Sequence, residues 1–275
     1  MAGLSVTQRV AVRVVTFADG SREVLGRACE SGSGTPAENK LWFEQKCAAS
    51  YFKKELLSVE EKAERSRSES VRRARKNLRW AILAIEADRL LTLTYRENVV
   101  DRERALRDWK AFCRLMELTF PGWQYVCVME SQTRGAIHFH AAIKGFYPVN
   151  EVRRLWRRVV GADNGNIDIA LRKKRWGGES EEFSPTALAF YLAKYVGKEM
   201  SSVDRGEKRF FCSRGRPVPV TTRFWIESCL DADAIRRLYR IAAGEKALGA
   251  SQWFSRCERF YWVYGPASED EPLPF

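Results

Sequence analysis

Two histidines, the only ones in the 275-residue chain, stand two apart as His138-Phe139-His140. About fifty residues later comes Tyr191-Leu192-Ala193-Lys194-Tyr195. Side chains two apart on a β-strand share a face, so both imidazoles can hold one metal ion. Positions three and four apart on a helix also share a face, so both tyrosines and Lys194 point the same way. A deprotonated phenol, ordinary pKa about 10, is a competent nucleophile toward phosphorus and a fair leaving group. A metal-binding strand facing paired phenols is equipment for cutting a DNA strand and staying attached to it.

The histidine strand predicts its own partner. Ser131-Gln132-Thr133-Arg134-Gly135 reads as the turn of a hairpin between Trp123–Glu130 and Ala136–Ile143. With the tip near Arg134, Glu130 falls opposite His138, and cross-strand partners share a face. Glu130, His138 and His140 would then converge, one carboxylate oxygen and two imidazole nitrogens suited to Mg²⁺ or Mn²⁺. Phe139 would point into the core. The competing reading is a pair of histidines merely hydrogen-bonded on a half-buried strand.

Ser184 is a natural N-cap and Pro185 a natural first residue for the tyrosine helix. With Tyr191 as origin, Tyr195 lies about 40° away, Lys194 about −60° and Lys198 about −20°. Ala189, Leu192 and Val196 fall on the other side, where they can anchor the helix to a sheet. Packing tyrosines with snorkelling lysines would be the ordinary alternative. Lys194 could stabilise charge at the phosphate or lower a phenol's pKa. Two tyrosines one turn apart permit alternation between successive cuts.

These segments need a frame. Leu90–Tyr95 reads as a strand, 101–118 as a helix with Leu106, Trp109, Phe112, Cys113 and Met116 on one stripe, 150–160 as a helix and Gly165–Leu171 as a strand. The order β-α-β-β-α-β predicts an α+β fold, a ferredoxin-like, RRM-like antiparallel sheet with two helices on one face. Upstream, 9–17 alternates as a strand and Asp19-Gly20 turns into a second; 31–39 reads as a loop. Ser58 with Glu61 forms a capping box for a densely basic helix reaching toward Ile85. That helix suits either phosphate binding or a solvated face with internal ion pairs. The segment 172–182 reads as a loop. The division expected is 1–85 (strands and basic helix), 86–204 (core) and 205–275 (accessory region).

The balance of 47 Lys+Arg against 35 Asp+Glu, a net charge of +12, suits a polyanionic partner. No run is apolar enough to span a bilayer, and the N-terminus lacks a signal-peptide pattern, so a cytoplasmic location without a membrane partner is expected. Seven scattered cysteines without a CxxC pair point to reduced, mostly buried thiols rather than zinc or disulfides.

Taken together, these residues resemble the HUH endonucleases, in particular rolling-circle replication initiators of phages, plasmids and small single-stranded-DNA viruses. Leu91-Thr92-Leu93-Thr94-Tyr95 is similar to the family's first, strand motif. Glu130 followed by His138-Phe139-His140 is similar to the metal motif, and Tyr191-Leu192-Ala193-Lys194-Tyr195 to the tyrosine motif in its paired, phage-type form. The resemblance covers roughly 86–200. It implies a site-specific nick in single-stranded DNA or an origin hairpin, a 5′-phosphotyrosyl link, and a 3′-hydroxyl released for a polymerase. Tyr191 would be the first nucleophile, because Lys194 follows it by three as in single-tyrosine relatives. No GxxxxGK[ST] occurs, so a host helicase would have to unwind the duplex.

Two rivals remain at this level. A transposase or mobilisation relaxase would use the same chemistry, although relaxases often keep a third histidine. A non-catalytic, basic RRM-like nucleic-acid-binding domain would instead expose aromatics on the sheet face.

Overall fold

The computed structural model describes residues 6–32, 44–45, 47–49, 51–52, 55–174, 180–198, 208–227, 229–244, 250–255 and 259–265. It divides into two compact units, 64–217 and 1–63 with 218–275. This differs from the three-part division expected from sequence. Strand pairing between the chain's two ends makes one unit of what read as separate N- and C-terminal regions.

In the second of these units, β1 (Val6–Thr16) and β2 (Arg22–Gly32) form the hairpin expected around Asp19-Gly20. Asp19 Oδ1 accepts from the Ser21 backbone at 2.9 Å, and Gly20 takes a positive φ of 81°. Of the loop expected at 31–39, residues 31–32 close β2 and the rest lies outside the described residues.

The basic helix α1 spans Val59–Ala84. Its capping box is reciprocal: Glu61 N–H donates to Ser58 Oγ at 3.1 Å and Ser58 N–H to Glu61 Oε2 at 2.8 Å. The core unit follows with β3 (Arg89–Tyr95), α2 (Arg102–Thr119), β4 (Tyr125–Ser131), β5 (Ile137–Ile143), α3 (Val149–Val160) and β6 (Gly165–Ala170). Asp101 caps α2, its carboxylate accepting from the backbone of Glu103 and Arg104. The expected loop after β6 contains a short pair, β7 (Arg172–Lys174) with β8 (Ser180–Glu182), before α4 (Pro185–Lys198). Ser184 Oγ accepts from the Ala187 backbone at 3.1 Å, so the cap of α4 is as expected.

A short strand β9 (Phe211–Cys212) completes the core sheet, in the order β6-β3-β5-β4-β9, with each described pairing antiparallel. Without β9 this is the ferredoxin-like arrangement, and the class is α+β as expected. Strand alternation sorts side chains between two cores. Leu91, Leu93, Cys127, Met129, Phe139 and Ala141 face α2 and α3, with Trp109, Phe112 and Trp156 filling the space. On the opposite face Leu90, Val126, Val128 and Ala142 are covered by Leu78 and Ile82 of α1 and by Leu188, Leu192 and Val196 of α4. Only part of that face is apolar. Further along the same strands it turns polar, at Thr92, Glu130, His138 and His140.

The other unit is a sheet of order β10-β1-β2-β12-β11, with β10 at Val220–Ile226, β11 at Ser251–Ser255 and β12 at Phe260–Gly265. Helix α5 (Ala232–Ala243) packs Leu238, Ile241 and Ala242 onto Val10, Val12, Val14 and Val263. The C-terminal segment is therefore structural partner to the N-terminal hairpin. No helix among the described residues is long and apolar enough to cross a membrane. Six cysteines are described and all are free, but only Cys127 is buried; Cys47 and Cys229 are exposed, contrary to the expectation of mostly buried thiols.

Candidate active site

β4 and β5 pair so that Glu130 stands opposite His138, as symmetry about Arg134 requires. The turn closes with Gly135 at a φ of 85°. On β3, Thr92 stands opposite His140 and Thr94 opposite His138. One polar patch thus spans three neighbouring strands.

Glu130 and His140 meet directly, His140 Nε2 lying 2.9 Å from Glu130 Oε2. Burial lowers the pKa of His140, opposed by its hydrogen bond to Glu130. The ring is therefore neutral near pH 7, and the contact is an N–H donating to a carboxylate rather than an ion pair. His138 is also lowered, by burial first, with Glu130 pulling the other way. Its Nδ1 accepts from Gln132 Nε2 at 3.1 Å. The two imidazole centroids are 6.5 Å apart.

The expected three-residue convergence is therefore incomplete. Two of the three side chains touch, and the third shares their face while engaged with Gln132. Among the described residues no group of three His, Cys, Asp or Glu side chains is closed into a cation site. The donor chemistry still fits a divalent ion, because both rings are neutral and both have a polar neighbour at Nδ1. For His138 that neighbour is Gln132, and for His140 it is Thr92 Oγ1 at 3.4 Å, a long contact. Ligation through Nε2 needs the proton on Nδ1, where the Thr92 hydroxyl can accept it at His140 and the Gln132 carbonyl can accept it at His138 once that side-chain amide turns over. Thr92 and Gln132 were not singled out from sequence. Period-two spacing could have found both, since Gln132 follows Glu130 by two and Thr92 precedes Thr94 by two.

Helix α4 delivers the phenols. Leu188, Ala189, Leu192 and Val196 are buried against the sheet, which turns the other side of the helix toward the histidines. Tyr195 lies flat on His140, centroids 4.5 Å apart and planes 7° apart. Its hydroxyl donates to the Tyr191 hydroxyl at 2.9 Å. Lys194 Nζ stands 3.7 Å from the ring centre of Tyr191 and 4.6 Å from that of Tyr195. Tyr195 is buried at 5% exposure, less polar-facing than its helix position suggested, whereas Tyr191 is half-buried. Burial, then the bond to Tyr191, raises the pKa of Tyr195. The side chain of Lys198 lies outside the described residues.

A ferredoxin-like sheet and the helix packed on it thus bring an acid, two imidazoles and two phenols together on one face. Residues 88–200 match a family of replication-associated proteins of the ORF2 type. That match covers strands β3–β6, the histidines and the tyrosine helix. No curated protein and no solved structure matches the chain.

Proposed function

We propose that this chain initiates rolling-circle replication by nicking one DNA strand at a specific site and rejoining it through a 5′-phosphotyrosyl link. The observation that carries the reading is an unbroken run of contacts from Glu130 through His140 and Tyr195 to Tyr191. It joins the strand that suits a metal to the helix that suits a nucleophile.

Tyr191 is the first nucleophile. Its oxygen accepts the Tyr195 proton, so its own proton is directed elsewhere, and it is the less buried of the pair. Lys194 Nζ stands 3.7 Å from its ring centre and the Tyr195 hydroxyl donates to its oxygen, so both are placed to offset charge there during attack. The Tyr191 oxygen bonds to phosphorus while the bond from phosphorus to the 3′ oxygen breaks. The phenolic proton passes to water and the leaving 3′ oxygen takes one up, giving a free 3′-hydroxyl. Tyr195, on the same face one turn away, is placed for the second transfer.

Glu130, His138 and His140 would hold Mg²⁺ or Mn²⁺, which when bound polarises the scissile phosphate and offsets charge on the leaving oxygen. A host helicase and a DNA polymerase complete the reaction sequence. The reading is tested by incubating the protein with single-stranded origin DNA and Mn²⁺ and separating covalent adducts on a denaturing gel. Wild type yields an adduct that EDTA prevents and that Tyr191→Phe abolishes or weakens at least about 100-fold. Unchanged yield in both Tyr191→Phe and Tyr195→Phe rules out these nucleophiles, and absence of any adduct leaves a non-catalytic DNA-binding module.

A further inference from the structure

A cleft of about 1320 Å³ opens along the β9–β4 edge of the core sheet, and none of the residues of the proposed nicking site lines it. One wall carries Arg73 of α1, another Lys110 and Arg114 of α2, and the segment after 207 contributes Lys208, Arg209 and Arg214. Against these six cations stands one carboxylate, Glu117, which accepts from the Gly122 backbone at 3.1 Å. None of the six makes an ion pair among the described residues. Arg209 Nη1 is buried and has no hydrogen-bond partner there. A guanidinium donor left without an acceptor is costly, and a phosphate oxygen is the acceptor that suits it best.

We propose that this cleft grips the phosphate backbone of the DNA flanking the nick, an inference that rests on the nicking activity proposed above. The partner is a polyanion because six cations, none ion-paired among the described residues, converge on one concavity. Recognition is through the backbone rather than the bases. Trp109 and Trp123 line the cleft but are only 2% and 4% exposed, and Tyr125, Phe210 and Phe211 are half-buried against the two cores, so no ring of the lining stands open as a stacking platform. Tyr125 at the cleft and Glu130 at the nicking site lie on the same strand, about 17 Å apart at roughly 3.4 Å per residue. In duplex terms that is about five base pairs. DNA held at the tyrosines must therefore extend several nucleotides past the cut to reach the cleft. Part of the basic helix α1 thereby gains a role: Arg73 faces the cleft, while Arg65 and Arg67 are engaged with Glu69 and Glu64 on the helix itself.

The test uses the full chain and a triple variant, Lys110→Gln, Arg114→Gln and Lys208→Gln, all at exposed positions. Two sets of oligonucleotides span the cleavage site, of about 8 and about 25 nucleotides, the longer with either a single-stranded or a duplex flank. The variant should bind the long substrates at least about tenfold more weakly, with a salt slope shallower by about one per lost phosphate contact. Binding and cleavage of the short substrate should be unchanged. The arm that weakens more, single-stranded or duplex, identifies the flank held. Wild-type affinity and salt slope on both long substrates would overturn the cleft assignment while leaving nicking intact. If no oligonucleotide forms an adduct in either protein, the nicking proposal fails instead, and the affinity difference still reports on the cleft. Thermal melting of the variant separates lost binding from lost folding.

Discussion

The imidazole of His140 lies parallel to the phenol of Tyr195, 4.5 Å between ring centres and 7° between planes. The stack ties helix α4 to strand β5 and fixes how far the hydroxyl pair stands from the acid on β4. It is also a preorganising contact: the helix cannot slide without exposing an imidazole that is otherwise 7% accessible.

That stack should be measurable on its own. A double-mutant cycle with His140→Ala and Tyr195→Ala, read by urea unfolding in EDTA, should give an interaction energy of about 1 kcal/mol. A value indistinguishable from zero would show that the rings do not hold one another in solution.

Thr92 and Gln132 should tune metal affinity without being ligands. Thr92→Val and Gln132→Ala are each expected to weaken Mn²⁺ binding by about 10–100-fold with the fold intact. Titration followed by the paramagnetic resonance of free Mn²⁺ reads this directly, independent of nicking. Affinity equal to wild type in both variants would leave the Nδ1 contacts without a role.

The raised pKa of Tyr195 predicts a pH dependence with a definite sign. The folded state holds the phenolic proton more tightly than the unfolded chain, whose value is about 10. The resulting stabilisation is fully present below that value and is lost as pH rises through the folded one. Burial also raises Tyr95, Tyr125, Tyr147 and Tyr261, so spectrophotometric titration at the phenolate band should show a late-titrating group of several tyrosines that a denatured sample lacks, and Tyr195→Phe should make that group smaller by one. A Tyr195→Phe titration superimposable on wild type would contradict the assignment.

The anchor of the tyrosine helix is hydrophobic, not polar. Leu192→Ala removes a fully buried side chain between α4 and the sheet. It should cost about 2–5 kcal/mol of unfolding free energy, measured by chemical denaturation, and lower adduct yield although Tyr191 and Tyr195 are untouched. A loss of only about 0.5 kcal/mol would mean that α4 is held mainly by its polar face.

Much of the site could be read without coordinates because its parts are local. The Glu130–His138 register follows from the position of a tight turn, and a one-residue slip would put both histidines in the core. The caps Ser58 and Ser184 mark helix starts through hydrogen bonds that span three residues. Alternation along Leu90–Tyr95 and Tyr125–Ser131 sorts side chains between the two faces, since a strand has no other period.

What the chain could not declare by itself depends on distant segments. Nothing local links Val10 to Ile226, yet they pair, because the edge of the N-terminal hairpin offers unpaired backbone groups that β10 satisfies. The stacking of Tyr195 on His140 and the assembly of Arg73, Lys110, Arg114 and Arg209 around one cleft are likewise matters of packing. Sequence alone determined which residues are candidates for the proposed chemistry and, for Glu130, His138 and His140, which face of their strand they share. Only the tertiary structure decided which of those faces meet, because side-chain direction is set by backbone period while contact is set by how hydrophobic surfaces from remote parts of the chain bury one another.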